Sequence, residues 1–135
     1  MLYEELKSVI NLINENEYSE GYVTFYVEIY KIDTLLSLDF AIKKCLLELE
    51  AIDSLEIDII ITSIKHPENE LQKLCAEWHI DEKICNKILS FIDDDTKLYR
   101  CCDDYQYISR GDVGEIFRII EKGEERVLID FFVCD

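Results

Sequence analysis

A chain of 135 residues, 49% apolar and 33% charged, is long enough to build one ordinary core without disulfides or a structural metal. Four glycines and one proline exclude collagen-like and low-complexity architectures. Thirty acidic residues against fourteen Lys and Arg leave a net charge of -16, a field that repels a phosphate backbone and argues against direct nucleic-acid binding.

The opening segment Met1-Leu2-Tyr3-Glu4-Glu5-Leu6-Lys7 has neither the basic start nor the apolar run of a secretory signal. The strongest apolar run, around Ile59-Ile60-Ile61, is far too short to span a bilayer. A cytoplasmic protein with no membrane contact is therefore expected.

Leu2, Leu6, Val9, Ile10 and Ile13 recur at helical spacing, so residues 2–14 form an amphipathic helix. The polar stretch 14–21 ends it and reads as a loop. Residues 22–31 then alternate. Val23, Phe25, Val27 and Ile29 face one way, with Tyr22, Thr24, Tyr26, Glu28 and Tyr30 on the other, which is the pattern of a strand.

Asp33 or Thr34 is placed to cap a second helix running to about Ile52. Leu55, Ile57, Ile59 and Ile61 alternate in a β-branched stretch, predicting a second strand over 55–64. Pro67 suits the first position of a third helix, with Glu68 and Glu70 in its first turn. Asp81 is placed to cap a fourth helix ending near Ile92. Residues 97–101 and 105–109 are short strand candidates, and 115–121 with 126–133 form a hairpin around Lys122-Gly123-Glu124. The sum is a single α+β domain over residues 1–135: about four helices, two early strands and an antiparallel C-terminal β segment ending in a hairpin.

Six cysteines invite a disulfide or zinc reading. Cys45, Cys75 and Cys85 each fall on an apolar helical stripe, where free cysteine behaves as a small hydrophobe. Cys75-x3-His79 with Cys85 offers zinc-like spacing, but the chain contains no C-x2-C pair. His79 also lies about 100° from Trp78, off the Cys75 stripe, and reads as a surface histidine. Adjacent Cys101 and Cys102 would point to opposite faces of a strand.

Asp93-Asp94-Asp95 does not open an EF-hand loop, since Lys97 and Leu98 stand where an oxygen ligand and a glycine are needed. Neither His66 nor His79 is embedded in a nucleophile signature, and Gly111-Asp112-Val113-Gly114 places an acid where a phosphate would sit. No catalytic residues, cofactor or metal are expected.

Charge and tyrosine stand out instead. Tyr22, Tyr26 and Tyr30 flank Glu28 on one face of the first strand. Tyr99, Tyr105 and Tyr107 neighbour Asp93, Asp94, Asp95, Asp103 and Asp104. Tyrosine gives wide contact area with few rotors to freeze, and nearby carboxylates steer a basic partner. The competing structural explanation is a helix packed over the strand tyrosines. The expected function is a small acidic inhibitor of the immunity-protein kind, occluding the basic groove of a toxin such as a nuclease. A nucleic-acid mimic directed at restriction or CRISPR machinery would use the same physics. A generic protein–protein module, or a cryptic thiol or metal enzyme, are the rivals from other classes.

Overall fold

The computed structural model describes residues 1–101 and 114–134. In chain order the elements are α1 (Leu2–Glu15), β1 (Tyr18–Glu20), β2 (Val23–Lys31), α2 (Leu38–Glu48), β3 (Thr62–Ser63), α3 (Pro67–Glu77), α4 (Glu82–Leu89), β4 (Thr96–Arg100), β5 (Gly114–Lys122) and β6 (Glu125–Cys134). The strands form one antiparallel sheet in the order β1-β2-β6-β5-β4-β3. This is the expected α+β arrangement, with the C-terminal hairpin at the sheet's centre.

Alternation along the strands sorts side chains onto two faces, and helices cover both. Val27 and Ile29 of β2, Ile116 and Ile120 of β5, and Val127, Ile129, Phe131 and Val133 of β6 pack beneath α1, α3 and α4. The opposite face buries Phe117, Ile119 and Leu128 against Ala41, Ile42, Cys45 and Leu46 of α2. Double coverage explains why β5 and β6 are buried along nearly their whole length. It also draws Tyr30 and Tyr99 into the packing beneath α2.

Buried charge is held by partners. Arg118 on the α1/α3/α4 face is 1% exposed; its guanidinium donates to the Phe117 carbonyl at 2.8 Å and lies 3.7 Å from Glu70 of α3. At the N-terminus, Met1 offers α1 no side-chain cap. The carboxylate of Glu125, distant in sequence, accepts the Leu2 N–H instead, at 3.0 and 3.2 Å. Asn14 pairs with both backbone groups of Val27, donating to its carbonyl at 2.7 Å and accepting its N–H at 3.2 Å. The β1–β2 pairing stops at Phe25, so the Asn14 amide carries the hydrogen bonding of this sheet edge on to Val27, two residues further.

Several boundaries differ from the sequence reading. Helix α2 begins at Leu38, capped by the Ser37 hydroxyl, because Asp33 instead accepts the Leu35 N–H within a turn. It ends at Glu48, short of Ile52, in a turn where Glu50 takes a φ of 60° and the Ala51 N–H reaches back to the Leu46 carbonyl. That is a Schellman stop made without glycine. α3 ends the same way: His79 has a φ of 56° and the Ile80 N–H bonds the Cys75 carbonyl.

The strand predicted over 55–64 is reduced to Thr62–Ser63, paired with Tyr99 and Arg100. Ile57, Ile59 and Ile61 do turn inward onto the α2-side core, so the alternation reports facing correctly. Leu55 does not join them and is exposed. The loop expected at 14–21 contains β1, and Tyr22 lies in the turn after it rather than on a strand. The strand candidate at 105–109, together with Cys102, lies outside the described residues.

Candidate partner interface

The sequence-predicted contact residues separate into three environments. Tyr26 lies on the α2 side of β2, its ring stacked on Phe132 at 5.3 Å and its hydroxyl donating to Glu17 at 3.2 Å. Burial, then the Glu17 carboxylate, push that phenol above its ordinary value. Glu28 lies 3.7 Å from Lys7 of α1. Tyr30 is a partly buried core residue, as the competing structural explanation requires, and Tyr99, expected beside the acidic loop, is partly buried on the same face. The Tyr99 hydroxyl donates to Glu121 at 3.5 Å, and burial with that carboxylate raises its pKa.

Asp93, Asp94 and Asp95 form the turn between α4 and β4. All three are exposed, but Asp93 has partners, accepting the Asp95 N–H at 2.9 Å and the Thr96 hydroxyl at 3.0 Å while lying 3.1 Å from the Lys122 ammonium. Asp103, Asp104, Tyr105 and Tyr107 lie outside the described residues.

These partners hold the Asp93 carboxyl below its ordinary value, with Lys122 the largest cause and Thr96 next. A depressed folded pKa contributes stability above the unfolded value, near pH 4, and that contribution is lost as pH falls through the folded value. The stability gap between wild type and Asp93→Asn is therefore expected to be full at neutral pH and to close below about pH 4. Urea denaturation at a series of pH values measures that gap.

The turn of Asp93 and the hairpin of Tyr22 occupy opposite corners of the sheet. β2 and β4 are three strand spacings apart, about 14 Å. Thr96 pairs with Lys122 at one end of the central hairpin, whereas Thr24 pairs with Cys134 at the other, about 30 Å along the strands. Among the described residues, the predicted contacts are thus not one surface.

What the structure does assemble lies around β1. Gly21, at a φ of 64°, and Tyr22 make the two-residue loop joining Glu20 to Val23. Gly first in such a loop follows the turn rule for a tight hairpin, the one signal in the sequence that marks β1. Tyr22 is 95% exposed at the tip and Tyr18 is exposed on β1. Glu15, Glu17 and Glu20 surround them, all exposed. From Ser8 to Tyr30 the chain has no Lys or Arg.

His79 joins this edge, which sequence spacing did not indicate. Its left-handed backbone turns the imidazole out of the α3 stripe and onto Tyr18, the two rings stacking at 4.1 Å. Phe25 meets it edge-on at 5.1 Å, and Nε2 lies 3.4 Å from the Glu20 carboxylate. Trp78 continues the group, edge-on to Phe25 at 5.8 Å and to Phe131 at 5.7 Å, donating from Nε1 to the Phe132 carbonyl. A cavity of about 160 Å³ opens among these rings, with Asn16 and Asp81 also in its wall.

Cys45, Cys75 and Cys85 are buried, as their helical stripes predicted. Burial first, then the neighbouring Cys85, pushes the Cys75 thiol far above its ordinary value, so it stays protonated and inert. Among the described residues no group of His, Cys, Asp and Glu is arranged to hold a metal ion. No helix of the described residues is long and apolar enough to cross a membrane.

No protein-family model matches the chain. No curated protein is a significant match. Among solved structures, the crystal structure of citrus MAF1 is similar over 98% of both chains, at 12% identity and a TM-score of 0.49. A likeness of that degree carries nothing about function.

Proposed function

We propose that this chain is a small, non-enzymatic cytoplasmic inhibitor of the immunity-protein kind, which binds a cationic toxin, most naturally a nuclease, and covers its nucleic-acid groove. The observation that carries this reading is the β1–β2 edge, where the exposed Tyr18 and Tyr22 stand among Glu15, Glu17 and Glu20, with Tyr26 on the opposite face of the same edge and no Lys or Arg from Ser8 to Tyr30. A net charge of -16 exceeds what solubility alone asks of a domain this size. Concentrated acid beside rigid aromatic anchors suits a basic surface: the field raises the encounter rate and the tyrosines supply the contact that persists.

Inhibition by this route is steric. The toxin's phosphate-binding groove is positively charged because its substrate is a polyanion, and an acidic edge of matching sign competes for it directly. The buried thiols of Cys75 and Cys85 fit a reducing compartment.

The test is a titration of this chain against a cationic nuclease toxin encoded beside its gene. Cleavage is expected to fall to background at about one equivalent, and association to slow by roughly tenfold or more as salt rises from low to high concentration. Nuclease activity unchanged at several equivalents overturns the reading.

A further inference from the structure

The cavity beside His79 differs chemically from the other clefts described. Clefts near Asp93 and near Gly123 have Lys65, Lys97, Lys122 or Arg126 in their walls. The His79 cavity has no Lys or Arg in its wall. Its apolar wall is made by the rings of Tyr18, Phe25, Trp78 and His79 together with Ile13, Ile80 and Ile84. The polar groups beside them include two acceptors. Asn16 donates one of its two amide N–H groups to the Leu12 carbonyl, and its side-chain oxygen can accept. Asp81 is exposed at the start of α4, and its Oδ1 accepts the Lys83 N–H at 2.7 Å, which leaves the second carboxylate oxygen for a ligand.

Aromatic faces, a carboxylate and an amide oxygen together describe a receptor for an organic cation. A guanidinium suits it better than an ammonium, because it is planar, stacks on rings and presents several donors in one plane. The surroundings favour a cation as well, since Glu15, Glu17 and Glu20 line the same edge.

We infer that this cavity receives an arginine side chain of the basic partner, stacked against the Tyr18–His79 pair with its donors turned toward Asp81 and Asn16. This rests on the reading above that the partner is a basic protein, and it names the contact at which that partner is held. The left-handed His79 backbone then has a role beyond ending α3: it sets the imidazole as one wall of the receptor.

Trp78 is the chain's single tryptophan, so its fluorescence reports on the cavity directly. N-acetyl-arginine amide is the probe, and the citrulline analogue, isosteric and uncharged, is its control. The arginine amide is expected to change Trp78 emission saturably, with an affinity on the order of millimolar for one exposed cation–ring contact. Citrulline amide should bind about tenfold more weakly or not at all. Asp81→Asn keeps the helix cap and removes the charge, so it should weaken arginine amide severalfold with circular dichroism unchanged. In the complex with the toxin, Asp81→Asn and Tyr18→Ala should each raise the Kd about tenfold or more. Equal binding of both amides, or a toxin complex indifferent to both substitutions, overturns the inference. Failure of the toxin reading shows elsewhere, as nuclease activity untouched by the wild-type chain while the arginine amide still saturates Trp78.

Discussion

Phe131→Ala is expected to lower the unfolding free energy by about 3–5 kcal/mol, the cost of opening a large cavity where neighbours cannot close in. Phe131 is 2% exposed on β6, the strand held between β2 and β5, directly opposite Val27 on one side and Ile116 on the other. Its ring meets the edge of Trp78, and α1, α3 and α4 close the layer above. A sheet backbone fixed by hydrogen bonds on both sides relaxes little into a void. Urea denaturation followed by circular dichroism measures the loss. Tyr22→Ala, at a tip that touches little, should stay within about 0.5 kcal/mol of wild type. A cost below about 1 kcal/mol for Phe131→Ala would contradict the buried central hairpin on which the fold description stands.

Reversing charge at the tyrosine edge should have the largest effect on binding. Glu17→Lys with Glu20→Lys changes the local charge by four units on a surface that no Lys or Arg between Ser8 and Tyr30 offsets. Association with the cationic toxin is expected to slow by about ten- to a hundredfold at low salt. Asp94→Lys with Asp95→Lys makes the same change in net charge at the far corner of the sheet. At about 0.15 M salt it should cost less than about threefold, because the Debye length there is about 8 Å and the far corner lies several such lengths from the contact. Asp93 is left out of that control, since its carboxylate holds Thr96 and Lys122 in place and its reversal would disturb the turn.

Much of the fold was legible in the sequence because burial and periodicity coincide. The stripe Leu2, Leu6, Val9, Ile10 and Ile13 is buried as spaced, Pro67 opens α3, and Asp81 caps α4 through its side chain. Failures cluster where facing and pairing part company. Ile57, Ile59 and Ile61 alternate and turn inward, yet only Thr62 and Ser63 of that predicted strand find a ladder partner, and alternation carries no information about partners. The end of α2 was missed where Glu50 occupies a left-handed position usually given to glycine.

The candidate site was legible only in kind. Proximity in sequence placed Tyr99 beside Asp93–Asp95, whereas the sheet turns that ring into the α2-side core. The β1–β2 hairpin hid inside a polar stretch because β1 is three residues long and exposed throughout, leaving no apolar alternation to see. His79 gave no signal, since its neighbours Tyr18 and Phe25 reach it only through the tertiary fold.

The association rate constant with the cationic toxin, measured across a salt series for wild type and for the Glu17→Lys, Glu20→Lys variant, tests the central claim most directly. The account predicts a steep fall with salt for wild type, a shallow one for the variant, and convergence of the two at high salt. Parallel curves of equal rate at every salt concentration would contradict it, because the tyrosine-bearing edge would then play no part in the encounter.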